Sequence, residues 1–194
     1  LLGRLGRGQE DIDAYKDAIN IDPRNVDAWF NQANALSTVN RVLASQLPLI
    51  LVAPRAITDQ VRSILPHNCL VDTPAESSLS AASLARAVAA GVLASAQADG
   101  WLVLPGDMPT LRADTLKQVS DAVQTYPIAY AQYQARRGHP MGFGKELFSE
   151  LMHLDTDRDL HRLTSRYPAE GIDVDDPGVV MHNGAGHDVS MPSS

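Results

Sequence analysis

The chain is short of several things, and each shortage narrows what it does. A single cysteine, Cys69, rules out an internal disulfide framework and any thiolate metal cluster, so a reducing, cytoplasmic setting is expected. No apolar run is long enough for a membrane span: the alanine-rich stretch from Ala81 to Ala98 is short and interrupted by Arg86. The opening LLGRLGRGQE has no apolar core of the kind a secretory signal needs. Neither membrane contact nor export is expected. Basic residues number 16 against 23 acidic ones, a formal charge of -7. That balance argues against an extended nucleic-acid surface, yet leaves room for small anions held by local groups and a metal. No lysine lies between Lys16 and Lys117. The histidines at 139, 153, 161, 182 and 187 never form a His-Glu-x-x-His pattern, and no Gly-x-Ser-x-Gly elbow occurs. Dedicated zinc chemistry and serine hydrolysis are set aside accordingly.

The 194 residues are 44% hydrophobic and 20% charged, which is ordinary globular material with enough length for one substantial core. Residues 9–20 place Ile12, Tyr15, Ala18 and Ile19 at helical spacing. Pro23 ends that helix, Asn25 caps the next, and helical spacing resumes from Val26 to about Leu36. The stretch LGRLGRGQEDIDAYKDAINIDPRNVDAWFNQANAL at 2–36, with Gly6, Tyr15, Ala18, Pro23 and Trp29, resembles a tetratricopeptide repeat fragment. Stacked repeats need about three copies to bury their faces, so this hairpin is expected to pack on the rest of the chain or on a protein partner. The expected division is a helical hairpin at 1–37 and a second domain at 38–194.

From Thr38 onward strands and helices alternate. A helix at about 38–46 leads into the apolar strand LPLILVAP at 47–54, followed by a helix at 55–65 and a short strand at 68–72. A helix at 77–96, a strand at 101–105 and a helix at 111–124 continue the rhythm. The alternation implies an α/β fold with a mostly parallel sheet covered on both faces. PIAYAQYQ at 127–134 alternates as a half-buried strand, ARRGHP reads as a turn, and MGFGKELFSELMHL passes from strand to helix. A helix at 157–166 and short strands near 172–174 and 179–181 finish the domain.

The run WLVLPGDMPT at 101–110 sets Asp107 just beyond a buried strand, where open α/β sheets bind ligands. A carboxylate there suits Mg²⁺, a hard cation that takes oxygen ligands and keeps waters that phosphates replace. The same residue also suits a purely local role, accepting backbone hydrogen bonds in the turn before a helix.

LPGDMPTLRADTLKQV at 104–119 and RRGHPMGFGKELFSEL at 136–151, in this order, resemble two signature segments of the molybdenum-cofactor nucleotidyltransferases, with Gly-His-Pro leaning toward the cytidylyl-transferring branch. The resemblance implies a GT-A-like, Rossmann-like three-layer fold and transfer of CMP from CTP, with GTP the less favoured nucleotide, to molybdopterin or another phosphorylated small molecule. It implies Asp107 as the Mg²⁺ ligand and catalytic carboxylate, and Gly106 as the point of close approach. Gly138, His139 and Pro140 would form the wall toward the second substrate, with His139 the second catalytic residue beside Asp107 and with Arg136 and Arg137 near the acceptor's phosphate. SSLSAASL at 77–84 is similar to a serine-rich segment that helps bind base and sugar, which carries Ser77, Ser78 and Ser83 into the nucleotide site. VVMHNGAGHD at 179–188 supplies Asn183 as the further metal ligand, with Asp188 nearby. The family opens with an apolar strand and a glycine-rich loop bearing Arg and Lys that cradle the triphosphate. GRLGRGQ at 3–9 offers glycines and Arg7 but no preceding strand. A sheet without that strand has an edge for the N-terminal helices or a second chain to cover.

Overall fold

In the segment from Ile128 to Tyr133 successive side chains turn to opposite faces of a sheet, and each face meets its own core. Ile128 packs with Trp101, Phe143, Leu147 and Leu151, whereas Ala129 and Ala131 pack with Met108, Leu111, Leu116 and Val119. Two cores on two faces make a three-layer sandwich, as expected from the strand–helix alternation. The computed structural model describes residues 26–73 and 84–181. The expected helix at 9–20, Arg7, the serines at 77, 78 and 83, and Asn183 lie outside them.

Helix α1 spans Val26–Ser45 without interruption. The two helices expected on either side of residue 37 are therefore one, and the anticipated boundary falls inside it. Strand β1 (Leu51–Pro54) follows, then α2 (Arg55–Val61), β2 (Leu70–Thr73), α3 (Leu84–Ala94) and β3 (Gly100–Val103). Helix α4 (Ala113–Ala122), strands β4 (Ile128–Tyr133) and β5 (Arg136–Gly144), helix α5 (Phe148–Leu151), helix α6 (Asp157–Arg166) and strand β6 (Ala169–Asp173) complete the order.

The sheet is in two parts: β1 and β2 pair in parallel, and a four-stranded sheet has the order β3-β5-β4-β6. β6 runs parallel to β4, while β5 is antiparallel to both β3 and β4. The expected turn at 135–140 is therefore a correction. Arg136 to Pro140 are already strand, and the reversal is made by Gln134 and Ala135, both at positive φ. Two central residues of that kind make the tight hairpin whose twist matches its flanking strands. β3, expected as a parallel strand, has β5 as an antiparallel neighbour instead. The expected strand at 179–181 is another correction: Pro177–Val180 form a 3-10 turn, started by the fixed φ of Pro177 and by Asp176, whose side chain accepts from the Gly178 N–H.

Among the described residues β1 pairs only with β2, and β3 only with β5. The remaining edges of β1 and β3 border one cleft of about 770 Å³, closed by residues of α1, α3 and α4. Its lining is chiefly aliphatic, including Leu51, Val52, Leu102, Leu104 and Val39, and it reaches Gly106. No described helix is long and apolar enough to cross a membrane.

Candidate functional site

β3 ends at Val103, and Gly106 and Asp107 form the turn beyond it. Asp107 is half-buried there and Gly106 is exposed. Two elements hold this turn. From α1, the Thr38 hydroxyl donates to the Gly106 carbonyl at 2.9 Å and Arg41 Nε donates to the Pro109 carbonyl at 3.1 Å. Beneath it, Met108 and Leu111 are fully buried in the core under α4, which fixes the chain on both sides of the carboxylate.

From the other side the segment after β6 holds the start of α4. The Asp176 carboxylate is 2% exposed. Its Oδ2 accepts from the Arg112 N–H at 2.9 Å and from the Thr115 hydroxyl at 2.7 Å, and its Oδ1 accepts from the Gly178 N–H at 2.9 Å. Three donors satisfy a buried charge that would otherwise be costly. Arg112 Nη1 also donates to the Asp175 carbonyl at 3.0 Å. Sequence reasoning missed Asp176, although Val-Asp-Asp-Pro directly after a strand is a turn signal with an acceptor in it.

β5 brings the second motif to the same edge. Val103 pairs with Met141, so His139 stands level with the residues just past the end of β3. Arg136 and Arg137 are exposed, Gly138 and Pro140 buried, and His139 half-buried. The His139–Pro140 peptide bond is cis. Arg137 lies over the Tyr130 ring, 4.1 Å from its centroid, so a cation–π contact orients its guanidinium. At Gly138 the Val179 backbone occupies the space a side chain would take. The register thus runs Gly138, His139 and Pro140 on past the end of β3, on the side where Gly106 and Asp107 follow it, and leaves Arg136 paired with Tyr133 at the hairpin.

The polar cluster at the far end of the domain is separate. Glu150 accepts from the Tyr167 hydroxyl at 2.7 Å, a bond that holds its carboxyl below the usual range and pushes the phenol above its own. Among the described residues no three His, Cys, Asp or Glu side chains converge to hold a metal. Mg²⁺ does not require such a cage, since one or two carboxylates with waters and substrate phosphates suffice. Asp107 at a strand end, and the exposed Asp175 after the parallel strand β6, are the kind of oxygen donors that fit it.

A family model for the MobA-like NTP transferase domain matches residues 28–171, which takes in the acidic turn, the whole of β5 and most of α1. The chain belongs to that family. The four-stranded sheet and its acidic turn are therefore those of a MobA-like NTP transferase domain, and this domain is a nucleotide-binding transferase in type. Solved structures share the fold. Rv0371c from Mycobacterium tuberculosis, determined in complex with manganese, is 23% identical over 73% of this chain and 75% of that one, with a TM-score of 0.56. Its homolog from Mycobacterium sp. strain JC1 is 22% identical over 70% and 71%, with a TM-score of 0.53. A nucleotidyl transferase from Methanothermobacter thermautotroptrophicus, Mth528, is 18% identical over 74% and 71%, with a TM-score of 0.54. No curated protein matches the chain.

Proposed function

We propose that this MobA-like domain transfers CMP from CTP to molybdopterin, with a divalent metal at Asp107. The observation that carries this reading is the register of β5 on β3: Val103 pairs with Met141, so the Gly138–Pro140 segment continues past the end of β3 on the side where the acidic turn follows it. The manganese in the Mycobacterium tuberculosis structure supports a divalent ion in this fold. When bound, such an ion neutralises charge on the triphosphate and on the departing pyrophosphate.

The chain's own residues would do the rest. Asp107 holds the metal, with Asn183 as the further ligand, and Gly106 lets the backbone come close to the nucleotide. Ser77, Ser78 and Ser83 hold base and sugar. His139 and Pro140 shape the wall for the acceptor, and exposed Arg136 meets its phosphate. The attacking phosphate is already an anion, so orientation and fixed electrostatics carry more of the rate than a general base. Molybdopterin is the proposed acceptor, and another phosphorylated small molecule is the alternative. A protein partner at residues 1–37 belongs to the same proposal.

One observation favours a second reading. The cleft between β1 and β3 borders Gly106, and no glycine-rich loop faces Asp107 among the described residues. A domain so built keeps nucleotide binding and loses transfer. Pyrophosphate release from CTP, Mg²⁺ and molybdopterin decides between the two: release supports transfer, and binding of Mg²⁺–CTP without release supports the second reading.

A further inference from the structure

Arg137 is exposed, yet its guanidinium is held in place: its central carbon lies 4.1 Å from the centroid of the half-buried Tyr130 ring. A cation over an aromatic face is attracted by the ring quadrupole. The contact orders the group, and the exposure of the residue leaves its N–H donors within reach of a ligand.

The cause is local to β5. Tyr130 pairs with Met141 and Gln132 with Arg137, so two steps along β4 match four along β5. Bulges of this kind re-aim side chains, and this one, at Gly138–Pro140, sets Arg137 against Gln132 and the neighbouring Tyr130. Tyr130 and Gln132, two apart on β4, share a face, and both reach over Gly171, which has no side chain to displace them. On its other side Gln132 pairs with Asp173 and donates to its Oδ1 at 2.8 Å. An amide therefore engages that carboxylate and stands between it and the arginine.

The sheet register also places this pair relative to the acidic turn. Val103 pairs with Met141, Met141 with Tyr130 and Tyr130 with Gly171, which makes one row across the sheet. Strands lie about 4.8 Å apart, so Tyr130 is on the order of 10 Å from the end of β3, within the length of a small substrate. β3, β4 and β6 run in one direction, and Gln132, Arg137 and Asp173 stand beyond that row at their carboxyl ends, where open α/β sheets bind ligands. The acidic turn leaves β3 at the same end.

We propose, resting on the nucleotidyl-transfer reading, that Tyr130 is a positioning residue of the acceptor site: its ring holds Arg137 so that the guanidinium takes the acceptor's phosphate. The planar fork of a guanidinium matches a phosphate with two parallel bonds. An exposed arginine loses rotamer freedom when it binds, and one ordered beforehand loses less. The ring is thus the part of Tyr130 that matters, and its hydroxyl is dispensable.

The test titrates molybdopterin and dephosphorylated molybdopterin calorimetrically into the parent, Arg137→Gln, Tyr130→Leu and Tyr130→Phe, with melting temperatures measured alongside. Arg137→Gln should weaken molybdopterin binding roughly tenfold and Tyr130→Leu about fivefold, while Tyr130→Phe, which keeps the ring, matches the parent. All four proteins should bind the dephosphorylated form equally. Because Arg137 is exposed, its variant reads binding apart from folding. Equal losses for both forms of the ligand would overturn the phosphate assignment, and a Tyr130→Phe as weak as Tyr130→Leu would overturn the role of the ring. Variants that match a parent able to bind molybdopterin would overturn this inference alone. A parent that binds neither form would overturn the acceptor reading, and this inference with it.

Discussion

The Val179 backbone lies directly against Gly138, so that no side chain fits at position 138. This contact ties the 3-10 turn at Pro177–Val180 to β5, while Asp176 at the head of the same turn holds the start of α4. One short segment thus joins the two motifs that the sequence singles out, the acidic turn ahead of α4 and the Gly-His-Pro strand.

Gly138→Ala is therefore expected to destabilise the fold. Its Cβ meets main-chain atoms of Val179, which cannot rotate away as a side chain could. Overpacking of this kind costs about 1–3 kcal/mol. Urea denaturation of the variant against the parent checks the value, and a change near zero would mean that the turn is free to move.

Asp176→Ala strips the Arg112 N–H, the Thr115 hydroxyl and the Gly178 N–H of their acceptor. Bonds to a buried carboxylate are stronger than neutral ones, and the donors left behind are themselves penalised, so a loss of about 3 kcal/mol is expected. Asp176→Asn should lose less, since one oxygen remains. Equal stability of the two variants in chemical denaturation would contradict this account of the clamp.

Helix α6 opens on a capping box in which Thr156 accepts from the Asp159 N–H at 3.3 Å and the Asp159 carboxylate accepts from the Thr156 N–H at 3.0 Å. Thr156→Ala should cost about 1 kcal/mol at neutral pH. The Thr156 hydroxyl, then the Thr156 N–H, hold the Asp159 carboxyl below its ordinary value. A group lowered on folding stabilises above its unfolded pKa, and that contribution is lost as pH falls through the folded value. The stability gap between parent and variant should accordingly narrow on acidification from about pH 5 downward. A gap that widens would contradict the assignment.

How much of this was legible in the sequence depends on how local the cause is. β4 was readable because PIAYAQYQ alternates, and α6 because its cap and helical spacing lie within a few residues of each other. Asp107 was readable for the same reason, as a carboxylate directly after an apolar strand. Residues 136–140 were misread as a turn because Arg-Arg-Gly-His-Pro has turn-like composition, whereas the reversal falls to Gln134 and Ala135, which carry no glycine. Asp176 was hidden because its partners on α4 lie 64 and 61 positions away. The Thr38 bond to Gly106 spans 68 positions. The continuity of α1 was obscured by the change of composition near Thr38, which altered the neighbours of the helix without ending it.

The central claim is that Asp107 holds the metal for nucleotidyl transfer, and Asp107→Asn tests it most directly. Pyrophosphate release would be followed with CTP, Mg²⁺ and molybdopterin, and Mn²⁺–CTP affinity and melting temperature measured on the same preparations. The account predicts release by the parent, a loss of at least a hundredfold in the variant (about 2.7 kcal/mol or more in activation free energy), weaker metal–nucleotide binding and an unchanged fold. Equal release by parent and variant, with equal affinity, would contradict it.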